Sequence, residues 1–442
     1  MVRKASSLKD IVNVFHPKAL TEEEEQNKFY QPTAAVRDGR SREFHDDLFD
    51  RIRISENNSH LLVVGHGGCG KSTELRMLAR KLSNAGMSPI IIEARDDMNM
   101  NDFSFIDISM LIVEHLAKYA ENENCEVDEK IISSFKMAIS TKTTNEFWDE
   151  SVNIGSDTSA SGSINLIFLK FMSKIGLSLK MGSGLREELR REVGPKESDI
   201  IGTVNTFIDD INSKILSKRK DSNTTKGDCS NIVIIIDGLE KCRHERVQRL
   251  FDEKASSLTE INTHMVIACP INVYHSSTAG GLQSLFTLRL MPMIKTHNPD
   301  RNLSPYQEGI DVVEQLILKR VDASFFEDGV LTKIIKKCGG SLRDAFHLLS
   351  ESAFEAYDKE IVDKASVDFV LNSFSIDIFR RVKSEYYKTI KDIYEGDHEV
   401  RNSADLYELL YAGAVFEYNG IGWIDLHPLI RDYIDGHPKA LK

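Results

Sequence analysis

Between Gly65 and Ser72 the chain reads Gly-His-Gly-Gly-Cys-Gly-Lys-Ser, and each part of that G-x-x-x-x-G-K-S spacing suits a phosphate. Glycines let a loop wrap with its backbone N–H groups turned inward, and a following helix N-terminus adds partial positive charge. The candidate binding residues are therefore Gly65, His66, Gly67, Gly68, Cys69, Gly70, Lys71, Ser72 and Thr73. Lys71 would reach the outer phosphates of a nucleotide, and the Ser72 hydroxyl would hold Mg²⁺. A second cluster follows at Asp237-Gly238-Leu239-Glu240. Asp237 is the metal-side candidate, acting on Mg²⁺ through a water or through Ser72. Glu240 is the nearest carboxylate able to orient an attacking water, with a salt bridge to Lys241 as its alternative role.

These residues need a rigid frame. The apolar run Leu61–Val64 predicts a buried strand ending at the loop, and Leu75, Leu78, Ala79 and Leu82 predict a helix beginning near Lys71. The β-branched run Ile232–Ile236 is apolar at every position, as in a central parallel strand covered on both faces, and it delivers Asp237 at its carboxyl end. Further strands are expected at Pro89–Ala94, Met265–Cys269 and Phe286–Ile294.

Composition narrows the class. The 442 residues are 41% hydrophobic and 28% charged, an ordinary globular balance with room for two or three domains. A net charge of −12 argues against a general nucleic-acid scaffold. Cys69, Cys125, Cys229, Cys242, Cys269 and Cys338 show no C-x-x-C pair and read as reduced thiols of a cytoplasmic protein. The N-terminus has no signal-peptide core. The most apolar stretch, Ile164–Met181, is interrupted by Lys170, Lys174 and Lys180 and does not span a bilayer.

Along the chain, Thr21 with Glu22–Glu25 predicts a helix start, and Phe44, Leu48 and Ile52 mark a second helix. Phe29, Tyr30 and Arg37 are candidates to cover the base, with surface packing as the alternative. Helices are expected over Phe105–Ala120 and Ile131–Ile139, and a polar loop over Thr141–Ser163. Ile164, Phe168, Phe171 and Ile175 fall on one helical face, which a hairpin packed on the core explains better than a membrane-surface helix. Lys218-Arg219-Lys220 reads as a solvated turn.

The ending Asp237-Gly238-Leu239-Glu240 resembles the Walker B variant of the STAND ATPases, a signal-transducing branch of the AAA+ superfamily. The usual AAA+ pattern has Asp and Glu adjacent; Gly238 in the glutamate's place suits a slow switch better than fast turnover. Gly70–Leu75 is similar to bacterial ATP-binding proteins associated with defence against phage. Where the resembling families carry a polar γ-phosphate sensor, this chain has Ala268-Cys269-Pro270, with Asn272 as the substitute. Arg289 is a poor arginine-finger candidate, which speaks against a ring motor. Gly340-Ser341-Leu342-Arg343 resembles the sensor 2 motif, whose arginine would fold over the γ-phosphate. The run Asp425–Asp432 resembles the segment in which a histidine locks ADP, a role that would fall to His427 at a phosphate; a helix-capping histidine is the alternative.

The end of the chain predicts a winged helix: a helix Ala404–Tyr411, strands Val415–Tyr418 and Trp423–Leu426 around an Asn419-Gly420 turn, and a last helix with Pro428 at its first position. From Ile376 to Lys442, nine basic residues face twelve acidic ones, a net −3 that makes a poor phosphate surface and favours a protein-facing role.

The expected architecture is α/β, a P-loop NTPase parallel-sheet core of the AAA+/STAND type with a helical lid and a C-terminal winged helix. Residues 1–55 would lead into the site, 56–295 would form the core with a helical insertion around 100–225, 296–375 the lid and 376–442 the winged helix. The implied function is a slowly hydrolysing switch ATPase using ATP/ADP and Mg²⁺. It would control a protein effector or sensor in bacterial defence or signalling, with homo-oligomerisation open. The rival is a DNA-associated AAA+ loader or transposition regulator of the origin-recognition type, which salt-dependent DNA binding would favour. A third is a nucleotide-dependent scaffold that scarcely hydrolyses.

Overall fold

The computed structural model describes residues 3–156, 164–182, 184–221, 232–275, 279–300, 303–399, 403–418 and 423–441. Five strands, β1 (His60–Gly65), β2 (Ser88–Glu93), β3 (Ile232–Asp237), β4 (His264–Pro270) and β5 (Thr287–Met291), form one sheet in the order β2-β3-β4-β1-β5. All its pairings are parallel. The carboxyl ends of β1 and β3, which carry the loop and Asp237, therefore point the same way with β4 between them.

Period-two alternation sends side chains to two separate cores. Leu61, Val63, Val233 and Ile235 pack against Leu75, Leu78 and Leu82 of the helix Lys71–Asn84. Leu62, Val64, Ile234 and Ile236 face the larger core, which holds the helices between β2 and β3. The sheet is thus covered on both faces, as all-apolar strands require.

Ile164–Met181 is a helix whose Phe168, Phe171, Met172 and Ile175 are fully buried. Its rings meet Phe135 at 5.9 Å, Trp148 at 5.3 Å and Phe207 at 5.5 Å. It packs on the core as expected, and among the described residues no helix is long and apolar enough to cross a membrane. The loop expected over Thr141–Ser163 is corrected for its first part: Lys142–Ser156 is a helix, and residues 157–163 lie outside the described ones. Thr141 N–H donates to Thr144 Oγ1 (2.7 Å) and Thr144 N–H returns a bond to Thr141 Oγ1 (3.2 Å), a reciprocal cap. Trp148 then anchors the polar helix on Phe171. The turn expected at Lys218–Lys220 is instead the end of the helix Glu197–Asp221, with Lys218 Nζ donating to the carbonyls of Glu123 (2.8 Å) and Asn124 (2.6 Å).

A second body of helices, Gln307–Leu318, Val330–Lys337, Leu342–Glu355 and Lys364–Phe379, shares its core with the N-terminal helix Leu8–Val14 and with Ala404–Ala412 and Pro428–Gly436. Phe15 meets Phe346 edge-on at 5.3 Å, so the first residues of the chain pack on this helical body. The hairpin of β6 (Val415–Tyr418) and β7 (Trp423–Leu426) pairs Val415 with Leu426 and Tyr418 with Trp423; its expected Asn419-Gly420 turn lies outside the described residues. The hairpin reaches the main sheet where Met293 N–H donates to the Glu417 carbonyl (3.1 Å).

The joint between sheet and helical body depends on Gly340. Its φ is +82°, and a Cβ there would lie 1.8 Å from the Ile294 carbonyl oxygen. Gly340→Ala is expected to cost about 1–2 kcal/mol for the left-handed backbone and about 1–3 kcal/mol more for the overlap. Gly280→Ala, with nothing within 4 Å of the new methyl, serves as the neutral control. Urea unfolding of both variants checks this, and equal midpoints would overturn it.

Candidate functional site

The loop after β1 takes the wrapped form its glycines allow, with φ of +88° at Gly68 and +108° at Gly70. Lys71 opens the following helix and is buried; its Nζ donates to the carbonyls of Gly65 (2.8 Å) and His66 (2.9 Å). Across the sheet, Asp237 is buried and accepts a hydrogen bond from the Ser72 hydroxyl. Burial and the neighbouring Glu240 push the Asp237 carboxyl above its ordinary value, and the Ser72 bond pulls the other way. Asp237 Oδ1 and Glu240 Oε2 are both buried without a hydrogen-bond partner. A hydroxyl beside an unpartnered carboxylate oxygen is the oxygen donor set a hard cation takes. Ser72 and Asp237 thus fit Mg²⁺, which would shield negative charge on the phosphates.

These residues line a cavity of about 320 Å³, within the usual ligand range of about 300–1,000 Å³. Its walls come from the segments His16–Thr21 and Phe29–Arg37, the loop and its helix, the ends of β2, β3 and β5, and the helical body. Gly68, Gly70, Lys71, Ser72 and Thr73 line it, as do Asp237, Glu240 and Arg343. The Leu342 N–H donates to the Gly68 carbonyl (3.1 Å), and a Cβ at Gly67 would lie 2.8 Å from Arg343 Nη1, so this arginine rests directly on the loop.

Other expected residues go elsewhere. His66 turns its ring away from the cavity; its Nε2 accepts the Glu417 N–H (2.8 Å) and its ring meets Phe416 at 5.3 Å. Burial, helped by Lys71, pushes that imidazole down to about 3, so it stays neutral and able to accept. Cys69 packs its thiol with Met291, Phe416 and Trp423. His427 lies outside the cavity wall. Its Nδ1 accepts the Leu429 N–H (3.1 Å), capping the last helix, and its Nε2 stands 3.5 Å from Asp344 Oδ2. Asn272 pairs with His244 Nδ1 at 3.0 Å, and Arg289 with Asp47 at 2.7 Å; neither lines the cavity.

The N-terminal segment contributes more than a cover. Arg37 is buried and donates to the Cys69 carbonyl (2.6 Å), the Pro292 carbonyl (2.5 Å) and Thr33 Oγ1 (2.9 Å), bracing the loop from outside. The Tyr30 hydroxyl lies between Glu74 (2.9 Å) and Glu43 (3.1 Å). Phe29 stacks on Arg320, whose guanidinium lies 4.8 Å from that ring and 5.1 Å from Phe346. Burial brings Arg320 down to about 10, and it lines the cavity with no counterpart in the sequence reading. Glu93 lines it too; its only signal in the sequence is its place near the end of the strand expected at Pro89–Ala94.

Residues 43–255 match the KAP family P-loop domain. Among solved structures, the ORC1 protein of Aeropyrum pernix in complex with DNA is similar at 13% identity and a TM-score of 0.39, over 98% of this chain and 97% of that one. Cdc6p of Pyrobaculum aerophilum is similar at 12% identity and a TM-score of 0.36, over 96% and 97%. The RuvB Holliday junction branch migration motor of Thermotoga maritima follows at 11% identity and a TM-score of 0.34, over 96% and 98%. None of the curated proteins compared with this chain matches it. The wrapped glycine loop at the carboxyl end of an interior strand of a parallel sheet, with the family match across it, gives this chain the fold of a P-loop NTPase.

Proposed function

We propose that this chain is an ATP-binding, slowly hydrolysing switch ATPase of the AAA+/STAND type that controls a protein partner. One observation carries the reading: the phosphate loop is held at once from three separate parts of the chain. Arg37 bonds it from the N-terminal segment, Leu342 and Arg343 from the helical body, and the Glu417 N–H from the C-terminal hairpin. A ligand on this loop must act on all three, which is what a two-state switch requires.

In this reading Lys71 binds the outer phosphates, Ser72 and Asp237 hold Mg²⁺, Glu240 is the carboxylate offered by the motif to the attacking water, and Arg343 meets the γ-phosphate. Residues 296–375 act as the lid and 376–442 as a winged helix turned towards protein. The net −3 of that last segment supports a protein-facing surface over a DNA-facing one. The defence or signalling setting rests on the resemblance of Gly70–Leu75. Rapid-quench cleavage measured beside ADP release tests the reading: release slower than cleavage is expected, with different protease-sensitive sites in the ADP state and in a non-hydrolysable ATP state. Fast turnover stimulated by DNA and lost with rising salt would overturn it in favour of a DNA-bound loader.

A further inference from the structure

We propose that Glu93, held by Arg76, is the carboxylate that takes the proton of the attacking water. The assignment rests on the ATPase reading above and moves the role of proton acceptor from Glu240 to a residue outside the motif. Asp237 is followed by Gly238, so no acid stands beside it on its own strand. The neighbouring strand supplies one. β2 and β3 run parallel, and their last paired residues are Glu93 and Asp237.

The direction of both side chains follows from alternation. Val233 and Ile235 on β3, and Ile91 on β2, pack into the core that contains the helix Lys71–Asn84. Residues two further along, Asp237 and Glu93, project to that same face. On the helix, Ser72 and Arg76 are one turn apart and share a side. Ser72 bonds Asp237, and Arg76 makes an ion pair with Glu93. Glu93 is 37% exposed and lines the cavity with Lys71, Ser72 and Asp237, so a water beside the phosphates can reach it. Its backbone is pinned as well, because Glu93 N–H donates to Asp97 Oδ2 (3.0 Å).

Glu240 is placed differently. It sits on the tight turn Leu239–Lys241, and one carboxylate oxygen is buried without a partner. Both carboxylates line the cavity; Glu93 is held there by an ion pair from the P-loop helix, whereas Glu240 ends in an unpartnered oxygen.

In the step, the water oxygen forms a bond to the γ-phosphorus as the bond from that phosphorus to the β,γ-bridging oxygen breaks. The electron pair of the broken bond leaves with ADP. The water proton passes to the Glu93 carboxylate and then to the released phosphate. Arg76 is a positioning residue: its ion pair fixes where the carboxylate points.

Glu93→Gln is expected to keep the affinity for a fluorescent ATP analogue within about threefold, while single-turnover cleavage falls about 100-fold or more. Arg76→Met should lower single-turnover cleavage while ATP affinity stays within about threefold, because the carboxylate loses the cation that fixes its direction. Arg76→Lys should restore part of that rate. Cleavage by Glu93→Gln at the parental rate overturns the assignment, as does recovery of its rate by excess Mg²⁺, which would put Glu93 in the metal's shell. Loss of ATP binding in Glu93→Gln overturns it too, as a structural role. A parent chain that binds no ATP, or binds it without cleavage, is a different failure: it removes the ATPase reading on which this assignment stands.

Discussion

Lys71→Ala is expected to abolish tight ATP binding. The ammonium is buried at the floor of the loop and already satisfies two carbonyls there, so its charge is fixed where outer phosphates would lie. A hydrogen bond to a charged group contributes about 1.5–3 kcal/mol, and loss of two such bonds weakens affinity by about 100-fold or more. Arg343 rests on Gly67 and Arg37 is engaged by two carbonyls, so neither is placed to stand in. Titration with a fluorescent ATP analogue measures the effect. An unchanged dissociation constant would remove the loop from the binding site.

Asp237→Asn is expected to separate stability from activity. Removing the carboxylate charge should lower Mg²⁺-dependent turnover by about 100-fold or more, since it removes the charge that would hold the metal against the phosphates. The same change should stabilise the nucleotide-free chain. The folded-state value of Asp237 lies above its ordinary one, because burial and then Glu240 disfavour its charge. The folded chain therefore binds this proton more tightly than the unfolded chain, so stability contributed here is present at low pH and falls as pH rises through the folded value. At neutral pH the parent carries that cost and the asparagine does not. Differential scanning fluorimetry without nucleotide should show a higher midpoint for the variant. Adding Mg²⁺ and ATP should then raise the parent more than the variant. A variant midpoint below the parent's would show that the carboxylate is structural.

Both predictions rest on residues legible from sequence, and the reason is range. The loop, its strand and its helix are contiguous, so spacing and periodicity alone locate Gly65–Ser72 and place Lys71 at the helix start. The run Ile232–Ile236 is apolar at every position, which only a strand covered on both faces tolerates. The polar helix Lys142–Ser156 looks like loop in the sequence because its stabilising contact, Trp148 on Phe171, joins distant residues. Glu93 and Asp237 become neighbours only through strand register, which composition does not encode. Arg37 and Arg320 are ordinary arginines in the sequence; their burial against the loop carbonyls and the Phe29 and Phe346 rings belongs to the tertiary fold. His66 falls among the expected phosphate binders because its position in the motif says nothing about where its ring turns.

That ring has a thermodynamic consequence. The backbone carbonyl of His66 accepts from Lys71, while its imidazole accepts from the C-terminal hairpin. One residue therefore enters two equilibria, occupancy of the loop and attachment of the hairpin. Their coupling is a single free energy, and it must appear with equal size in both directions. Whatever factor nucleotide imposes on hairpin release, a protein that captures the released hairpin imposes on nucleotide affinity. A partner could therefore empty or fill this loop without touching it.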